Sequence, residues 1–250
     1  MLHQFSRTEL AIGPEGLEVM KNSTVAVLGI GGVGSIAAEA LARTGVGRVV
    51  MIDKDVVDIT NVNRQIHALT TTVGQPKAEL MRDRILQINP ECDAVALKMF
   101  YTEETYEQLF EYPVDYVLDA SDTISYKIHL IKQCLACKIP IISCMGAANK
   151  MDPTRFQVAD ISKTTVDPMA RVIRHKLRKE GIKKGVKVVF STEEPMKPRG
   201  DVTQRIVPEN APEIRKAQQP PASNAFVPPV AGLIMVSVAV RDLLTKNGMQ

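Results

Sequence analysis

The segment Gly29-Ile30-Gly31-Gly32-Val33-Gly34 could hold a polyphosphate. Its glycines let the backbone turn tightly and approach an anion, whose charge then meets unsatisfied N–H groups at a helix start. Asp53 follows where a carboxylate can accept hydrogen bonds from ribose hydroxyls, with Asp55 just beyond it. On these residues alone the preferred ligand is NAD, and the bland alternative is a strand–helix turn with no ligand. What comes next reverses that preference. Asn61, Asn63, Arg64 and Gln65 form a polar cluster, and Lys77 opens the next helical stretch. NAD has no need of them. A triphosphate attacked at its α-phosphate does, because charge builds on the departing pyrophosphate and fixed cations stabilise it without reorganising. Asn61, Asn63 and Gln65 add neutral groups that can orient phosphates, although by itself the cluster would read as a solvated loop. Asp119-Ala120-Ser121-Asp122 then places two carboxylates and a hydroxyl at the end of a predicted strand, facing the crevice where ligands bind in parallel sheets. Mg²⁺ takes one or two carboxylates together with phosphate oxygens. Asp122 alone reads equally as a helix N-cap; beside the glycines and Arg64 the metal reading is preferred.

These residues can cooperate only if parallel strands bring them to one edge. The first 145 residues alternate short β-branched runs with helical stretches, as a parallel α/β sheet requires. Strands are predicted over 24–29, 48–52, 94–99, 114–118 and 139–144. Helices are predicted over 35–44, 77–88 and 125–137, with Pro76 in the first turn of the second. Beyond Met145 the pattern predicts strands at 155–160 and 186–190 around a basic helix at 168–180. A long, proline-rich irregular segment covers 193–223, and an apolar helix covers 226–244.

Length and composition bound the rest. At 250 residues, 45% hydrophobic and 24% charged, the chain suits one or two packed domains and excludes general disorder. Its strongest apolar run, 230–240, is too short for a bilayer span of about 20 residues, so no transmembrane helix is expected. The N-terminus lacks a signal-peptide pattern, and four cysteines without such a signal point to a reducing cytoplasm. The net charge of +3 hides an asymmetry: residues 171–187 hold eight Lys/Arg and one Glu, or +7, leaving −4 elsewhere. Such a run is usually a solvated helix face; at this density a phosphate backbone is the better partner.

In order, GIGGVG, the acid at Asp53, N-x-N-R-Q, the G-x-x-K-A of residues 74–78 and the D-x-x-D of residues 119–122 resemble the adenylating superfamily of ThiF, MoeB and the ubiquitin-activating enzymes. The resemblance covers residues 5–150 and implies a Rossmann-like, mostly parallel sheet with helices on both faces. It implies ATP on the glycine loop and Asp53, Arg64 and Lys77 on phosphates, and Mg²⁺ on Asp122. Phe5-Ser6-Arg7 resembles the segment that supplies an arginine to the partner subunit's ATP, which implies a homodimer with Arg7 acting in trans. Without the resemblance Arg7 is a surface arginine on a loose terminus.

The second half resembles one branch, the tRNA threonylcarbamoyladenosine dehydratases. The resemblance rests on the G-A-A-N-K-M-D-P of residues 146–153, the D-I-S-K-T-T-V-D-P-M-A-R of residues 160–171 and the F-V-P-P-V-A-G of residues 226–232. Branches acting on ubiquitin-like proteins often keep a crossover cysteine and paired C-x-x-C zinc ligands. Here Cys92, Cys134, Cys137 and Cys144 include one C-x-x-C and none lies later. The implied activity is ATP-dependent cyclisation of the threonylcarbamoyl group of tRNA, with loss of water, through a carboxyl-adenylate. Arg171, Arg174, Lys176, Arg178, Lys179 and Lys183 become the tRNA-binding candidates, and sulfur or redox accessory proteins remain open as partners. The expected organisation is an adenylation half (1–150) and a tRNA half (151–250), a smaller αβ extension that continues the sheet within one compact unit. Two other readings stay open: adenylation of the C-terminus of a small ubiquitin-like sulfur carrier, and, more weakly, an NAD-binding module.

Overall fold

The computed structural model describes residues 2–200 and 221–249. One seven-stranded sheet runs through both halves, in the order β3-β2-β1-β4-β5-β7-β6. Its strands are β1 (Thr24–Leu28), β2 (Arg48–Ile52), β3 (Asp93–Leu97), β4 (Tyr116–Asp119), β5 (Ile141–Cys144), β6 (Phe156–Asp160) and β7 (Lys187–Ser191). All neighbours pair in parallel except β6, which runs antiparallel to β7 at the edge. The central strands β1, β4 and β5 are buried along their whole length, which is why they read as unbroken apolar runs and not as alternation.

Helices cover both faces. On one lie α1 (Ser6–Lys21), α2 (Gly34–Thr44), α3 (Lys77–Ile88) and α7 (Val227–Lys246). On the other lie the short α4 (Glu107–Phe110), then α5 (Ile124–Ala136) and α6 (Pro168–Lys179). The predicted strand and helix ends hold to within two residues, with Pro76 capping α3 from outside its first turn.

Two features differ from the expectation. Residues 6–21, to which the sequence pattern assigns no element, form α1, two helical stretches that meet at Gly13 (φ +76°, ψ +166°, outside helical space) just before Pro14; Leu17 and Met20 bury against the core. The last helix keeps the expected bounds to within two residues, but at 20 residues it is, by length and composition, long and apolar enough to cross a membrane, which the 11-residue run alone does not suggest. Half of its apolar window is buried here: Ala231, Met235, Ala239 and Leu243 lie in the core shared with α2.

The chain winds from β1 through β2 to β3 on one side, then crosses to β4 on the other. That reversal opens a crevice at the carboxyl ends of β1 and β4.

Candidate active site

The crevice is a cleft of about 740 Å³, within the roughly 300–1,000 Å³ range of small-molecule sites. Gly29, Gly31 and Gly32 floor it after β1, Asp53 and Asp55 line it after β2, and Ser121 and Asp122 line it after β4. Gly29 has φ +86°, and a Cβ there would sit 3.0 Å from the Ala120 carbonyl, so only glycine makes this turn without strain. The loop delivers the chain into α2 through Val33, and α5 begins at Thr123; both N-cap residues line the cleft and neither side chain caps its helix. Two sets of N-terminal N–H groups are therefore oriented for an anion.

Asp53 ties the glycine loop to β2: its carboxylate accepts from Ile30 N–H at 2.6 Å and Asp55 N–H at 2.8 Å. Burial raises its pKa, opposed by Lys77 and the two backbone donors. Lys77 is buried at the start of α3, with Nζ 3.3 Å from Asp55 Oδ2. For Asp55, the bonds and charges of Lys54 and Lys77 outweigh the upward push of burial and leave its pKa lowered. Arg64 lines the cleft and donates to the Thr60 carbonyl and Asn63 Oδ1, both at 2.9 Å. Burial lowers its pKa against the charges of Asp122 and Asp58. Asn61 is buried in a turn, its Oδ1 accepting from Asp58 N–H, and Gln65 Oε1 is buried with no partner among the described residues.

Several candidates stand elsewhere. Asp119 is fully buried off the cleft wall: Oδ2 accepts from Lys127 Nζ (3.0 Å) and Ser143 Oγ (2.6 Å), and Oδ1 from Ser121. It anchors the loop that carries Ser121 and Asp122. Asn63 is exposed outside the cleft and donates to the Ser223 carbonyl. Gly34 is likewise no wall residue; it is required because a Cβ there would lie 1.8 Å from the Gly29 carbonyl. Thr123, not Asp122, is the N-cap of α5. Arg7 sits on the exposed side of α1, away from this chain's own cleft.

On α6, Ala170, Ile173 and Leu177 face the core, while Arg171, Lys176, Arg178 and Lys179 are exposed, as is Lys183 beyond the helix. Arg174 is different. It is half-buried, and its guanidinium donates to the Thr164 carbonyl at 2.8 Å and to Thr164 Oγ1, so it fastens α6 to the preceding turn.

The residue-type search missed an aromatic wall, Phe100, Tyr101 and Tyr126, with Lys54 Nζ 4.4 Å above the Phe100 ring. Residue type alone also gives no role to Lys150, which lines the same cleft. Lys150 lies inside a quoted motif, and its burial was the missing signal.

A model of the ThiF family matches residues 5–248. The chain belongs to the ThiF family. This ThiF-family chain is 70% identical over 244 residues to the tRNA threonylcarbamoyladenosine dehydratase of Bacillus subtilis, covering 98% of this chain and 96% of that protein. It is 39% identical over 256 residues to the Escherichia coli enzyme of the same name, covering 99% and 96%. Among solved structures, the E. coli tRNA N6-threonylcarbamoyladenosine dehydratase in complex with ATP superposes with a TM-score of 0.87 at 38% identity, covering 98% of this chain and 95% of that one. The likeness therefore spans both halves of the ThiF-family chain, the basic helix included.

Proposed function

We propose that this protein is an ATP-dependent tRNA threonylcarbamoyladenosine dehydratase. The observation that carries the reading is the cleft itself. A glycine turn, two uncapped helix starts, Arg64 and Lys77 line one cleft, as a triphosphate requires and NAD does not. Full-length similarity to enzymes of that name supplies the substrate class.

ATP supplies an electrophilic α-phosphate and a pyrophosphate leaving group. Gly31 and Gly32 let the phosphates approach the backbone, Asp53 accepts from the ribose, and Arg64 and Lys77 hold charge that grows on the departing pyrophosphate. One carboxylate oxygen of the threonylcarbamoyl group bonds to the α-phosphorus as pyrophosphate leaves. An atom of the same side group then attacks the acyl carbon, AMP leaves with the oxygen, and a proton is lost, so the ring closes with net loss of water. Because the nucleophile is tethered to the acyl group, high effective molarity takes the place of a protein thiol. Burial pushes Cys144, on the cleft wall, up to about 12, and Cys92 up to about 11, so these two thiols are held protonated at neutral pH.

Mg²⁺ belongs to the same proposal. Asp122 is an exposed carboxylate on the cleft wall whose hydrogen bonding is limited to a 3.3 Å contact from Thr123 Oγ1, so it suits one oxygen position beside phosphate oxygens. No cluster of three potential ligand side chains occurs among the described residues, so phosphates and water must complete the shell. Bound Mg²⁺ would neutralise phosphate charge. Arg171, Lys176, Arg178, Lys179 and Lys183 would grip the tRNA backbone, Arg7 would reach the second subunit's ATP in a homodimer, and the setting would be cytoplasmic.

The test is ATP–pyrophosphate exchange with tRNA carrying threonylcarbamoyladenosine, with unmodified tRNA, and without RNA. Exchange only in the first case is the expected result. Exchange stimulated by a small carrier protein and indifferent to the tRNA modification would overturn the reading.

A further inference from the structure

Among the described residues three lysines are buried, and one of them lacks a carboxylate partner. Lys127 meets Asp119 at 3.0 Å and Lys77 meets Asp55 at 3.3 Å. Lys150 is 2% exposed and lines the cleft, yet its ammonium makes a single hydrogen bond, to the Glu193 carbonyl at 3.0 Å. No described carboxylate lies within 4.0 Å of its ammonium. Asp167 feels its charge, but that carboxylate is engaged by Gly146 N–H at 3.1 Å and Ala170 N–H at 2.9 Å. An ammonium removed from water with one neutral acceptor is costly unless an anion joins it.

The backbone fixes the lysine in place. Asn149 takes φ +59° and exchanges hydrogen bonds with Ala222 on both its main chain and its side chain. The Lys150 carbonyl accepts from Asn224 Nδ2 at 2.8 Å, and the Glu193 carboxylate accepts from Met151 N–H and Asp152 N–H. Residues on both sides of Lys150 are thus clamped.

Position across the sheet says which anion it meets. The candidate ribose acid follows β2, the glycine loop follows β1, Asp122 follows β4 and Lys150 follows β5. Strands are about 4.8 Å apart, so β5 stands roughly 10 Å from β1 and roughly 14 Å from β2. By this strand order Lys150 lies on the side of the cleft away from the candidate ribose acid, and Pro168 and Met169, at the start of the basic helix, line the same cleft.

Resting on the reaction proposed above, we infer that Lys150 is the counter-ion for the substrate's acyl carboxylate. One carboxylate oxygen pairs with the ammonium, and the other is left directed at the α-phosphate. Lys150 thereby selects an anionic side group and sets its approach.

The experiment compares the ATP-free affinity of tRNA bearing the threonylcarbamoyl group with that of its carboxamide analogue, for the parent, Lys150→Met and Lys150→Gln. A charged hydrogen bond of ordinary strength predicts a parental preference for the carboxylate of roughly ten- to hundredfold. Both variants should bind the two RNAs about equally while keeping the parent's ATP affinity, which also reports that they are folded. A preference persisting in a variant that binds ATP overturns the inference. So does a large loss of ATP affinity in a variant that melts like the parent, since Lys150 would then serve a phosphate. Should neither variant fold, a parent that binds both RNAs alike overturns it, and one that favours the carboxylate sustains it. A parent that shows no preference yet converts the natural tRNA refutes only the role of Lys150. A parent that releases no pyrophosphate with that tRNA refutes the reaction itself.

Discussion

Arg64 and Lys77 were legible as residues because a cation beside a glycine loop has few other purposes. They carry the first expectation: Arg64→Ala or Lys77→Ala should lower turnover on the order of a hundredfold, since each removes a fixed charge that acts when pyrophosphate departs. Single-turnover kinetics with modified tRNA would measure it, and near-normal rates would remove both residues from the mechanism. Asp119 and Asn63 were not legible, since sequence names a side chain without saying where it turns. Asp119 turns inward because Lys127, eight positions on in the first turn of α5, is buried beside it. His67 was missed altogether. Both its ring nitrogens are buried without partners, and burial, with Lys77 and Arg84, lowers its pKa to about 4. A depressed folded pKa contributes stability that is present above the unfolded value of about 6.5 and is lost as pH falls through about 4. Between pH 7.5 and 5 that single group should remove about 2 kcal/mol. Urea unfolding at the two pH values should show the loss in the parent and a smaller one in His67→Phe; equal losses would show that the ring is charged or hydrated in the native state.

At the scale of elements, strands and helices followed from period and punctuation, and the exceptions have physical causes. Gly13-Pro14 is a helix break by type, and the backbone does leave helical space at Gly13; the second stretch of α1 is held because Met20 buries in the same core as α2. The run at 171–187 is legible as charge but not as geometry, because charge counting cannot separate exposed arginines from one tied to Thr164. That distinction gives two outcomes for α6. Neutralising Arg171, Arg178 and Lys183 together should weaken tRNA binding similarly for different tRNA sequences and flatten its salt dependence by roughly one slope unit per lost contact. Arg174→Ala should leave the slope nearly intact and instead cost about 1 kcal/mol of stability. A salt titration of tRNA affinity separates them. An unchanged slope in the triple variant would return α6 to a solvated face.

For the whole molecule, one sheet and one reversal of winding direction assemble a cleft from loops after β1, β2, β4 and β5. The strands made that architecture readable from sequence. The places of Lys150 and the aromatic residues in the cleft lining were not, because long-range packing brings them in. Arg7 lies outside its own cleft, and the proposed homodimer gives it a partner's site to serve. Mixing inactive Arg7→Ala and inactive Lys77→Ala subunits should then restore activity, since one site in each mixed dimer is intact; no recovery after confirmed exchange would place Arg7 outside the reaction. The central claim is that a carboxylate oxygen of the tRNA side group attacks the α-phosphate. It is tested most directly by supplying threonylcarbamoyl-tRNA with heavy oxygen in that carboxylate and analysing the products by mass spectrometry. The account predicts one heavy oxygen in AMP, none in pyrophosphate, and a nucleoside lighter by one water. Unlabelled AMP alongside the cyclised nucleoside, or label in the pyrophosphate, would contradict it.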